Sequence, residues 1–98
     1  MNIKQKRDGD KLVVYVEGRI DSNTFQSLFD FFQKELNGVK DLTLDLKKVD
    51  YISSAGLRTI LLAQKTMDSQ GKMVVTNVND SIRETFELTC FNDFLTIV

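Results

Sequence analysis

The residues best able to do chemistry lie in one short run, Tyr51-Ile52-Ser53-Ser54-Ala55-Gly56-Leu57-Arg58. Two hydroxyls and a small-residue turn stand where an extended apolar segment gives way to a helical pattern. A hydroxyl so placed sits at or beside a helix N-terminus, where free backbone N–H groups and the helix dipole favour negative charge. A phosphate is physically easy to add there. From the residues alone, Ser54 reads either as the N-cap of the helix, a role worth about 1 kcal/mol, or as an acceptor of phosphate. The two roles are compatible until the phosphate arrives.

Helical spacing extends the run. Positions 54, 58, 62 and 65 share one stripe, and it carries Ser54, Arg58, Leu62 and Lys65. The stripe is turned away from Leu57, Ile60 and Met67, the face expected in the core. Arg58 and Lys65 alone would be a solvated helix face. A leucine between them, with no core role, points to a docking surface.

Much other chemistry is excluded. The chain has no histidine, so neither a Ser-His-Asp nor a Cys-His nucleophile can be built. A structural zinc site lacks its ligands, and no glycine-rich phosphate loop or nucleophile elbow occurs. These absences favour a binding module without cofactor or metal over an enzyme. Cys90 is the one cysteine. It excludes an intramolecular disulfide, fits a reducing cytoplasm, and is expected to be a small buried apolar residue. With a net charge of −1, 42% hydrophobic and 28% charged residues, the composition is that of an ordinary globular domain. It gives no reason to expect nucleic acid or an anionic membrane surface as partner. Apolar runs fall short of the ~20 residues of a membrane span, and the charged N-terminus has no apolar stretch after it, unlike a signal peptide. At 98 residues, one domain with one core is expected.

The elements that must position the run follow from periodicity. Lys4 to Arg7 reads as an edge strand, Asp8-Gly9-Asp10 as a tight turn, and residues 11–17 as an interior strand apolar on both faces and ended by Gly18. Asp21, Ser22 and Asn23 are candidate caps for a helix reaching about Leu36. Its face is Phe25, Leu28, Phe29, Phe32 and Leu36, read as core; Phe31 falls off that face, against a neighbouring edge or a partner. Asp41 to Leu46 alternates as a strand, a helix runs from about Ala55 to Ser69, and Lys72 to Thr76 reads as a strand. Ser81 and Glu84 match a capping box for a third helix over 82–88, and Phe94 to Val98 reads as a last strand. This order predicts an α/β sandwich: a mostly parallel sheet of four or five strands with helices on one face, and polar residues such as Thr43 and Asp45 on the other.

With element order and motif together, the chain resembles the STAS family, which includes domains of sulfate transporters and the stand-alone bacterial anti-sigma factor antagonists. The resemblance spans essentially the whole chain. Its strongest part is Asp50 to Arg58, and a weaker part is Glu17-Gly18-Arg19-Ile20-Asp21-Ser22. The bare domain looks like the antagonists rather than the transporter tails. The resemblance implies a partner switch. The antagonist binds an anti-sigma factor that is also a serine kinase, phosphorylation releases it, and a serine phosphatase resets it. The family's acceptor stands two residues before the motif glycine, which here gives Ser54, counted from Gly56. This chain departs from the commoner Asp-Ser-Ser-Gly-Leu-Gly form: Ser53 replaces the Asp, Ala55 the second Ser and Arg58 the later Gly. Ser53 is therefore a second candidate acceptor. Asp21 reads as a helix cap, and the resemblance implies a place beside the acceptor loop. The expected partner-contact set is Asp21, Ser22, Ser53, Gly56, Arg58, Leu62 and Lys65. Two alternatives keep other classes open. One is a constitutive STAS subunit of a membrane-lipid ABC transporter, with the serine only structural; the other is a small-ligand or nucleotide module, disfavoured by the missing glycine pattern.

Overall fold

The chain reverses at Gly9, whose φ of +62° lies in the left-handed region that glycine tolerates, and so closes a hairpin between β1 (Asn2–Asp8) and β2 (Lys11–Ile20). The computed structural model describes all residues, Met1–Val98. After the hairpin come α1 (Phe25–Glu35), β3 (Asp41–Ile52), α2 (Ser54–Asp68), β4 (Lys72–Thr76) and α3 (Asp80–Leu88). The sheet order is β1-β2-β3-β4, antiparallel at the first pair and parallel at the other two. The expected α/β sandwich, mostly parallel in its sheet, is thus the observed one.

Alternation decides which face each strand buries. Leu12, Val14 and Val16 of β2, Leu42, Leu44 and Leu46 of β3, and Met73 and Val75 of β4 are buried. They meet Leu28 and Phe32 of α1, Leu57, Ile60, Ala63 and Met67 of α2, and Ile82 and Phe86 of α3 in one core. The opposite sheet face carries no helix and shows Val13, Tyr15, Thr43, Asp45, Val74 and Thr76, none of them buried. Phe31 packs against the edge of the core, half-buried, with its ring edge-on to Phe32 at 6.0 Å between centroids.

Several sequence expectations need correction. β2 does not end at Gly18 but continues to Ile20, and β3 runs on past Leu46 to Ile52. Register shifts at Tyr15/Glu17 and Gly18/Arg19 explain the error, because a bulge breaks the period of two. Neither Asp21, Ser22 nor Asn23 is the cap of α1; that position is Thr24. α3 starts earlier than its capping box suggested. Asn79 is its N-cap, accepting from Ile82 N–H at 2.9 Å while its own amide donates to Val49 C=O at 2.8 Å. Residues 94–98 form no strand. A 3₁₀ turn at Phe91–Asp93 is held by Phe94 and Leu95 N–H groups donating to Phe91 C=O, leaving only a single parallel bridge, Val75 to Ile97. Cys90 is exposed rather than buried, since it takes the left-handed position (φ 62°) just past the end of α3.

One polar residue ties the two long helices together. The Gln70 side-chain amide donates to Leu36 C=O at 2.6 Å and Val39 C=O at 2.7 Å, bridging the end of α2 to the end of α1. Gln70→Ala removes both bonds; Leu36 C=O keeps the Val39 N–H, whereas Val39 C=O is left without a donor, for an expected loss of about 1–3 kcal/mol. Thermal unfolding checks this, with a fall of about 4–8 °C per kcal/mol at this chain size.

Candidate functional site

The site grows from the adjoining C-terminal ends of β2 and β3. Their last pair is Ile20 with Ile52, and the next N–H, that of Ser53, donates to Ile20 C=O at 2.8 Å. That bond turns the chain into α2. Ser53 is the N-cap: its backbone is extended (φ −82°, ψ 173°) and its hydroxyl accepts from Gly56 N–H at 3.2 Å. Ser53 C=O also accepts the first helical bond, from Leu57 N–H at 2.9 Å. Ser54 is then the first residue of α2, exposed, with no hydrogen bond to its hydroxyl. The cap role expected for Ser54 therefore belongs to Ser53. The shift by one residue follows from the Ser53–Ile20 backbone bond, which fixes where extended chain stops.

Gly56 permits the close packing beneath. A Cβ there would stand 2.7 Å from Ile20 Cγ2 and 3.0 Å from both Ile20 O and Ile52 Cγ2. No other side chain lets the first turn of α2 lie so near the end of β2. Asp21, directly after Ile20, is consequently held beside the start of α2, but its carboxylate works on its own loop. One oxygen accepts from Asn23 N–H at 2.9 Å and Thr24 N–H at 3.1 Å, and the other lies 3.5 Å from Arg19 Nε. The Asn23 bond is the largest influence and lowers the carboxyl pKa; burial, the next largest, raises it, and the Thr24 hydroxyl and N–H and Arg19 lower it again, so it lies below its usual value of 3.8.

The matching family is now decisive: the STAS domain model matches residues 2–98. The chain belongs to the STAS family. Among its relatives is BtrV of Bordetella bronchiseptica, described as a candidate anti-sigma factor antagonist, 35% identical over 88 residues that cover 88% of this chain and 75% of BtrV. Among solved structures, an anti-sigma factor antagonist from Mycobacterium paratuberculosis superimposes with a TM-score of 0.88 at 20% identity, covering 98% of this chain and 83% of that one. The Bacillus cell fate determinant SpoIIAA, solved in its phosphorylated form, gives a TM-score of 0.76 at 11% identity, covering 99% and 91%. At those identities the two structures share the fold.

In this STAS domain the residues singled out by sequence fall into two groups. Ser53, Ser54 and Gly56 form the first turn of α2, with Asp21 and exposed Ser22 on the adjoining loop. Arg58, Leu62 and Lys65 continue from Ser54 along the exposed side of α2, while Leu57, Ile60, Ala63 and Met67 are buried. Sequence reasoning missed the pairing of Arg19 and Tyr51. They are partners across β2 and β3, with the guanidinium 4.3 Å above the tyrosine ring. It also assigned Phe25 and Phe29 wholly to the core, whereas both are only half-buried and line a groove with Leu62. Cross-strand register and the gap between helices carry those signals, and neither is written in helical period.

Two outcomes follow. Ser53→Ala removes the cap and is expected to lower stability by about 1 kcal/mol, whereas Ser54→Ala leaves stability nearly unchanged; urea unfolding of the two variants measures the contrast. Asp21 has its folded-state pKa lowered, so its contribution is present above the unfolded value and lost as pH falls through the folded one. Asp21→Asn is expected to flatten the acid limb of the stability curve, which unfolding midpoints measured down through the carboxylate range check.

Proposed function

We propose that the chain is an anti-sigma factor antagonist working as a single STAS domain in the cytoplasm, without catalysis of its own. It binds an anti-sigma factor with serine kinase activity, loses affinity when Ser54 is phosphorylated, and recovers it through a serine phosphatase. The observation that carries the choice of Ser54 is the division of labour at the start of α2. The Ser53 hydroxyl is occupied by the Gly56 N–H, while the Ser54 hydroxyl is exposed and unbonded. A kinase can reach the second without breaking a cap. BtrV's description and the phosphorylated form of SpoIIAA support the same reading.

The electrostatics explain how the domain survives its own modification. A phosphate brings about −1.5 to −2 charges at neutral pH. On the first residue of a helix it faces unpaired N–H groups and the positive end of the dipole, so the fold accepts it. The cost falls on whatever packs against that surface, by repulsion and desolvation. Asp21, Ser22, Arg58, Leu62 and Lys65 are the partner contacts in this reading, with Ser53 and Gly56 shaping the loop between them.

Incubation with the cognate kinase and ATP is expected to add one phosphate to the unaltered chain and none to Ser54→Ala, read by mass spectrometry with site mapping. Ser54→Asp is expected to bind the anti-sigma factor at least about tenfold more weakly than Ser54→Ala, a difference of about 1.4 kcal/mol. Equal affinities, or a phosphate mapped to Ser53, would contradict the assignment.

A further inference from the structure

Between α1 and α2 runs a solvent-open groove that starts beside the acceptor. It consists of two joined hollows of about 230 and 250 Å³, sharing Phe29, Thr59 and Leu62. Its apolar surface comes from Phe25 and Phe29 at the end beside Ser54, with Leu62, 40% exposed, at the lip; the far hollow, backed by buried Phe32, is mostly polar. Arg58 lines the end next to the acceptor and Lys34 the other hollow, and no aspartate or glutamate lines either. The only acidic neighbour tied to a lining side chain, Asp30, accepts a 2.9 Å bond from the Gln26 amide. From Ala55 to Thr66 the groove follows twelve residues of α2, about 17 Å at helical rise. That length suits a partner helix of about three turns.

We infer that this groove receives an amphipathic, acid-flanked helix of the anti-sigma factor. The inference rests on the antagonist function proposed above and names the surface and chemistry of that contact. The helix lays its apolar face on Phe25, Phe29 and Leu62, in the helix-in-groove manner. Its carboxylates face Arg58 and Lys34; the one acid beside these cations is Asp30, a turn before Lys34 and bonded to the Gln26 amide. The other large free surface, the open face of the sheet, fits such a partner poorly. Its hollow mixes acids with cations: Glu17 pairs with Lys4 at 3.4 Å, Asp45 accepts from the Asn77 amide at 2.9 Å, and Lys47 and Lys48 beside them have no ion pair. The groove also gives the phosphate its leverage. Ser54 adjoins Ala55 at the groove mouth and stands one turn before Arg58. A phosphate there competes for Arg58 and repels the carboxylate that Arg58 would otherwise receive, while the apolar floor is untouched.

The test is a calorimetric titration of the full-length cognate anti-sigma factor. It is titrated into the unaltered domain, Leu62→Asp, Lys34→Glu and, on the opposite sheet face, Tyr15→Ala. All three side chains are exposed, and unchanged unfolding midpoints confirm that each variant folds. Leu62→Asp and Lys34→Glu are expected to weaken binding at least about tenfold, Tyr15→Ala to change it less than about twofold, and added salt to weaken the unaltered complex. Lys34 is decisive because it lies on α1, off the stripe that runs from Ser54. Unaltered affinity in Lys34→Glu and Leu62→Asp overturns the groove while leaving the antagonist function standing. Hydrogen-exchange protection confined to α2 and the acceptor loop, with none in α1, overturns it too. If the unaltered domain fails to bind at all, the antagonist function and the groove fall together.

Discussion

The end of this domain that carries Ser53 and Ser54 depends on how closely the first turn of α2 settles onto Ile20. A backbone bond from Ser53 and the missing side chain of Gly56 set that distance. From it follow the capping role of Ser53, the freedom of the Ser54 hydroxyl and the nearness of Asp21. Moving α2 outward by the width of a methyl group would leave every residue type in place and dissolve the arrangement. The constraint is steric first and electrostatic second: the helix dipole can receive a phosphate only because packing has aimed that helix end at the surface.

The same end is wired so that its charges serve the scaffold before they serve a partner. Asp21 spends its carboxylate on the turn into α1, and Arg19 spends its guanidinium on Asp21 and the Tyr51 ring. Strand ends, loop and ring are thereby stiffened around a hydroxyl that itself has no bond. Arg58, by contrast, has no ion pair within the chain and lies one turn beyond Ser54 on the exposed side of α2.

Most of the architecture was legible because it is periodic. Alternating Leu42, Leu44 and Leu46, and the helical recurrence of Leu57, Ile60 and Met67, specify buried faces without outside help. Legibility failed where tertiary structure overrides local pattern. The bulges beside Glu17 and Gly18 hid the last turns of pairing in β2 and β3. Ser53 and Ser54 are equivalent as caps in isolation, and only the bond to Ile20 distinguishes them. Phe94 to Val98 has the composition of a strand, but the preceding 3₁₀ turn leaves it three residues against a short β4. Phe25 and Phe29 show the same limit in a helix, since period assigns a face but not whether the neighbouring helix closes over it.

The sheet order repeats the chain order, with each strand laid beside the one made just before it. Such an arrangement can assemble in the direction of synthesis, because no strand has to be threaded between two already paired. The hairpin leaves a free edge for β3, and the pairing of Ile20 with Ile52 needs neither β4 nor α3. The end that carries Ser54 therefore draws its backbone frame from the part of the chain before β4, while β4 and α3 seal the core behind it. A chain interrupted after α2 would still contain both strand ends and the helix start on which Ser54 stands.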